Sequence, residues 1–145
     1  MKTESKLEKV LASGNLAVTS ECGPPRGAVP EKVKEKAEML RGYVDAVNVT
    51  DNQSSVLHLG SIAVCAKLVQ DGYEPIFQLT CRDRNRMGLE SDILSAYTMG
   101  IRNMLSLTGD HNASWRERSG NPYIRRMDSS VSPSNRARIV VSFAP

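Results

Sequence analysis

One pattern, repeated four times, does most to constrain what this chain can fold into. Short apolar runs begin at residues 16, 46, 75 and 103, so successive runs start 30, 29 and 28 residues apart. They read Leu16-Ala-Val-Thr-Ser20, Ala46-Val-Asn-Val-Thr50, Pro75-Ile-Phe-Gln-Leu-Thr80 and Asn103-Met-Leu-Ser-Leu-Thr108. That spacing is the length of a strand, a helix and their connections. The intervening segments have a helical period. Val33, Ala37, Leu40 and Val44 form one stripe, Leu59, Ile62, Ala63, Ala66 and Val69 a second, and Leu89, Ile93, Ala96 and Tyr97 a third. Gly72 and Gly100 stand where the second and third helices should stop. Strand and helix in strict alternation predict an α/β fold with a parallel sheet and right-handed crossovers.

The flanks depart from the repeat. Residues 1–15 read as a short amphipathic helix or arm, with Leu7, Val10 and Leu11 on one side, and residues 16–111 hold the repeat. Residues 112–145 have no sustained period before a brief apolar stretch, Ile139-Val-Val-Ser-Phe143, and are expected to form an irregular tail. With 40% hydrophobic and 24% charged residues, the chain is too apolar to be disordered. Its net charge of +3 resides in the tail, because residues 1–110 carry 13 Lys+Arg against 14 Asp+Glu while residues 111–145 carry 6 Arg against 2 acids. A short Arg-rich end without a motif reads as solvated, so no nucleic-acid partner is expected. No window approaches the roughly 18 apolar residues of a membrane span, and the charged N-terminus leads into no signal-like apolar stretch. No membrane partner is expected. Cys22, Cys65 and Cys81 are odd in number and lack Cys-x-x-Cys spacing, which fits reduced thiols in a cytoplasmic protein.

Each apolar run ends in polar chemistry: Glu21, Thr50-Asp51, Gln78 with Thr80, and Thr108-Gly109-Asp110. Parallel α/β folds bind ligands at the carboxyl ends of their strands. Asp51 and Asp83 read as caps of the helices that follow. Glu21 and Asp110 read as chemical groups, because Pro24-Pro25 and the Gly109 turn delay any helix start. Arg82-Asp-Arg-Asn-Arg86 fits either an anion clamp at a helix start or an Arg–Asp surface network. Cys22 is expected to be packed rather than reactive. Gly-rich phosphate loops and a nucleophile elbow are absent, and His58 and His111 share no metal-ligand spacing, so no metal is expected.

Four segments carry a family resemblance. Thr19-Ser-Glu-Cys-Gly-Pro-Pro25, Val47-Asn-Val-Thr-Asp-Asn52, Glu74-Pro-Ile-Phe-Gln-Leu-Thr-Cys-Arg-Asp-Arg-Asn85 and Leu105-Ser-Leu-Thr-Gly-Asp110 resemble the methylenetetrahydrofolate reductases. They occur in that family's order and cover about residues 16–111. The resemblance implies (βα) units equivalent to the first half of a (βα)₈ TIM barrel. It also implies FAD as cofactor, a folate substrate, and an electron donor that is NAD(P)H or a redox protein. Glu21 matches the family's catalytic general acid, which helps open the five-membered ring of methylenetetrahydrofolate. Asp110 matches an aspartate near flavin and pterin that favours a cationic iminium intermediate. Thr50, Gln78 and the Leu107-Thr108-Gly109 turn match flavin-contacting positions, with Thr108 standing where some members have Arg. An acid working near neutral pH needs a raised pKa, and apolar burial at the strand end is expected to supply it for Glu21.

The repeat ends near His111, whereas the family continues for four more strands, so a truncated chain is expected. Open half-barrel edges then imply a homo-oligomer or a partner subunit. Two alternatives stand beside the reductase. One is a non-catalytic half-barrel fragment or subunit. The other is a flavin-free pterin-binding barrel in which Asn48, Asp51 and Asn52 hold the pterin edge.

Overall fold

The computed structural model describes residues 5–29, 31–109 and 138–140. After a short helix α1 (Lys6–Ala12), the chain runs β1 (Thr19–Glu21), α2 (Glu31–Leu40), β2 (Ala46–Val49), α3 (Ser61–Gln70), β3 (Pro75–Thr80), α4 (Arg86–Thr98) and β4 (Asn103–Leu107). Strands β1 to β4 lie side by side in chain order, and every pair among them is parallel. This is the first half of a (βα)₈ barrel in strand order. A short strand in the tail, β5 (Arg138–Val140), runs antiparallel along β4, with Ile139 opposite Leu105. The tail is therefore not irregular throughout.

Apolar packing divides at the sheet. On its outer side Val47, Val49, Phe77, Leu79 and Met104 meet Val33 and Ala37 of α2, Val64, Cys65 and Leu68 of α3, and Ala96 of α4. All six residues of β3 are buried, as expected of a parallel strand covered on both faces. On the inner side Leu7 of α1 packs on Ala46 and Ile76. Ser5 fixes that helix twice: its hydroxyl caps the first turn by accepting from Glu8 N at 3.0 Å and donates to Asn103 Oδ1 at 2.9 Å. Helix α1 thus covers the N-terminal ends of the strands and leaves their C-terminal ends uncovered by it.

Two expectations shift in detail. The first strand starts three residues later than its apolar run, with Leu16 and Val18 exposed. Pairing begins only where Asp45 meets Val18, its carboxylate accepting Val18 N at 2.8 Å and its own N–H donating to Val18 O at 2.8 Å. In α3 the fully buried face is Ser61, Val64, Cys65 and Leu68, one position away from the expected stripe, whose members flank it. Apolar residues lie on most sides of this helix, so the sequence left its rotation open. Ser61 settles it, because its hydroxyl donates to Gln78 O at 2.9 Å on the sheet. Gly72 and Gly100, both at positive φ, follow the ends of α3 and α4 as expected.

Candidate active site at the carboxyl ends of the strands

Register decides which side chains share the inner face. Glu21 pairs with Asn48, Asn48 with Ile76, and Ile76 with Asn103, and in the next layer Gln78 pairs with Leu105. Because side chains alternate along a strand, Glu21, Asn48, Gln78 and Leu107 all lie on the face turned away from the helices. Thr50 follows β2 and is buried at 5% exposure, and Gln78 at 8%. A Cβ at Gly23 would lie 3.7 Å from Thr50 Oγ1, so glycine leaves that hydroxyl uncovered from the β1 side. A buried hydroxyl and a buried amide beside Leu105 and Leu107 fit the mixed polar and apolar edges of a flavin ring. Leu107, at the end of β4, and Thr108 and Gly109 beyond it are half-buried. Asp110 lies outside the described residues.

Glu21 departs from expectation. It is exposed at the C-terminal end of β1, so apolar burial does not surround it among the described residues. Strand β1 is short, and among the described strands only β2 flanks it. The residue after it, Cys22, points the other way into the core.

A polar lattice that the sequence did not reveal joins the loops after β2, β3 and β4. Asp51 is not a helix cap. Its carboxylate, 1% exposed, accepts from Thr80 N at 3.0 Å, from Thr80 Oγ1 at 2.8 Å and from Arg84 Nη1 at 2.5 Å. Arg84 also reaches Asp92 at 2.7 Å. Burial works against the Arg84 charge, yet the hydrogen bonds to Asp51 and Asp92 outweigh it and raise its pKa. Arg82, with a 6% exposed side chain, donates to Asn52 O and to Ser55 Oγ, both at 3.2 Å, and pairs with Asp83. Asp83 is thereby committed to Arg82, and Asn85 caps α4 by accepting from Gly88 N at 2.8 Å.

The loop that these arginines hold is strained. Asn52, Ser54 and Ser55 have φ of 46°, 58° and 54°, the left-handed region that favours glycine. Gly109 is required for the same contact from the other side. It has φ +83°, and a Cβ there would approach Arg82 Cβ to 3.1 Å. The arginine segment thus resolves into two buried clamps and one surface pair, Arg86 with Glu90. The anion clamp is not what it forms, since Asp51, Asp83 and Asp92 already neutralise it.

These contacts bear on the flavin-free pterin reading. Asp51 is fully engaged, and Asn52 Oδ1 accepts His58 N at 3.0 Å. Among the described residues, of the three proposed pterin ligands only Asn48 keeps a free acceptor, its Oδ1 being buried without a hydrogen-bond partner there. A signal for the lattice did exist in the sequence. Asp51 and the Arg82–Arg84 pair follow consecutive strands, which the repeat makes neighbours.

The thiols agree with expectation. Cys22 and Cys65 are buried and Cys81 is exposed. Burial pushes both buried thiols up, with Lys36 opposing the effect at Cys22. Native protein treated with iodoacetamide at neutral pH should therefore carry one adduct per chain, at Cys81, and three after denaturation; mass spectrometry reads the count. Rapid labelling of Cys22 in the native chain would contradict this packing.

Among the described residues no helix is long and apolar enough to cross a membrane, and no group of three His, Cys, Asp or Glu is placed to hold a metal ion. A family model described as methylenetetrahydrofolate reductase matches residues 6–130. No curated protein matches the chain.

Proposed function

The chain belongs to the methylenetetrahydrofolate reductase family, and from that premise we propose that it reduces 5,10-methylenetetrahydrofolate to 5-methyltetrahydrofolate with FAD as cofactor. One observation supports this reading most. Register gathers Glu21, Gln78 and Leu107 on a single sheet face, with Thr50 at the end of β2 beside them. Bound flavin would supply two-electron hydride chemistry to the folate, drawing electrons from NAD(P)H or a redox protein. Thr50, Gln78 and the Leu107–Gly109 turn would hold it by hydrogen bonds and apolar contact. Glu21, at the β1 side of the same face, would donate the proton that opens the substrate's five-membered ring. Asp110, next after Gly109, would keep its negative charge toward the cation formed on opening.

Strand β1 has one neighbour among the described strands, which leaves its outer edge available for pairing. Completion of the barrel by a second copy or by a partner subunit is part of the proposal, as is a cytoplasmic setting for the unbridged thiols. The test is titration of the full chain with FAD, followed by flavin fluorescence, alongside sedimentation. The reading expects saturable quenching by an oligomer or hetero-complex. A folded chain that leaves flavin fluorescence unchanged in every assembly state would favour the non-catalytic half-barrel.

A further inference from the structure

We propose that Asn48 is a positioning residue for Glu21, its side-chain carbonyl accepting the hydrogen of the protonated Glu21 carboxyl and so holding the acid in its proton-donating form. This rests on the reading of Glu21 as the general acid. Asn48 Oδ1 is shielded from solvent and has no hydrogen-bond partner among the described residues. A buried carbonyl oxygen can only accept, so it needs a donor that approaches along the sheet face. Gln78, on the same face, is two residues beyond Ile76 on β3 and so diagonally farther than a residue in register; among the described residues in register with Asn48, one candidate remains. Ile76, on the β3 side, is apolar. Asn103, one strand further, is committed to Ser5 and to Glu74 at 2.9 and 2.7 Å. Ala46 and Thr50 lie two residues away along β2, more than about 6 Å at the rise of a strand.

On the other side stands Glu21, in register with Asn48 and held there by the Cys22 N–H bond to Asn48 O at 2.8 Å. Adjacent strands lie about 4.8 Å apart, within reach of a glutamate that turns toward its neighbour. An ionised carboxylate cannot meet this acceptor, because it has no hydrogen to give. The protonated form can. The other titratable or charged groups at this end of β1 are Cys22, kept a thiol by burial, and Lys36 of α2, whose ammonium donates to Gly23 O at 3.1 Å.

The sign of one titration decides the matter. The Glu21 carboxyl carbon is followed by NMR against pH in the full chain, with Glu21→Gln giving the assignment. Asn48→Leu, which removes the acceptor, should move the Glu21 midpoint down by about one pH unit. Asn48→Asp keeps an acceptor and should not move it down. In the flavin-loaded protein the pH at which folate reduction falls to half should follow the same shift. A midpoint that rises in Asn48→Leu would mean that the amide N–H serves the carboxylate, and would overturn the proposal. So would an unmoved midpoint, including one accompanied by weaker folate binding, which would make the substrate the partner of Asn48. The two readings fail separately. A shifted midpoint in a chain that reduces no folate keeps the pairing and removes the reductase. Folate reduction that depends on Glu21, with no shift in Asn48→Leu, does the reverse.

Discussion

Glu21→Gln is expected to lower reduction of methylenetetrahydrofolate by about 10²–10⁴-fold, the usual loss when a general acid is removed. The substitution keeps shape and hydrogen-bonding reach and deletes only the ionisable proton. Glu21 is exposed at the end of a three-residue strand, so the change removes no core contact. Its effect therefore reports chemistry and not stability. Flavin affinity should be nearly unchanged, because Thr50, Gln78 and the Leu107–Gly109 turn lie on the other strands. Two half-reactions measured separately check this. Reduction of the protein-bound flavin by its donor should be spared, and its reoxidation by methylenetetrahydrofolate should carry the loss. If the first slows and the second is spared, Glu21 is not the acid.

Arg84→Met should destabilise the folded chain by about 3–5 kcal/mol, the cost of leaving a buried charge without its partner. Asp51 is the charge left behind, with its carboxylate almost wholly enclosed at 1% exposure. Thr80 would still donate to it twice, but the cation paired with it would be gone. The control is Arg86→Met, which breaks an exposed pair with Glu90 and should cost no more than about 0.5 kcal/mol. Urea unfolding of the full chain measures both. Adding Asp51→Asn to Arg84→Met should recover part of the loss, since the stranded charge is then gone. Equal costs for Arg84 and Arg86 would show that the lattice is not a buried one. A change this large matters for function as well as stability. The same lattice holds the left-handed turn at Asn52–Ser55, directly after Thr50.

Legibility in the sequence differs from element to element. The four strands and three of the helices were legible because each unit carries its own period. Run β3 is legible to the residue, since Pro75–Thr80 is apolar or β-prone apart from Gln78 and stops at a polar loop. Run β1 was not, because pairing there depends on where Asp45 meets Val18, a contact between residues 27 apart. The rotation of α3 was hidden by its own apolarity. In α2, by contrast, charged residues surround the stripe, and Val33 and Ala37 are the buried pair, as read.

The sequence by itself determined the order of the elements, the parallel sense of the sheet and the alternation that puts Glu21 and Gln78 at strand ends. Those follow from local periodicity and chain connectivity, which need no knowledge of distant partners. Tertiary structure alone decided what each polar group touches. It turned Asp51 from an expected cap into the buried anchor of Arg84, and it split three alternate arginines into two clamps and a surface pair. It also left Glu21 in the open, beside an acceptor with no donor among the described residues. The physical reason is common to all of them. Periodicity fixes which way a side chain points, but its charge state and its partners depend on burial and on neighbours brought close from about one repeat away.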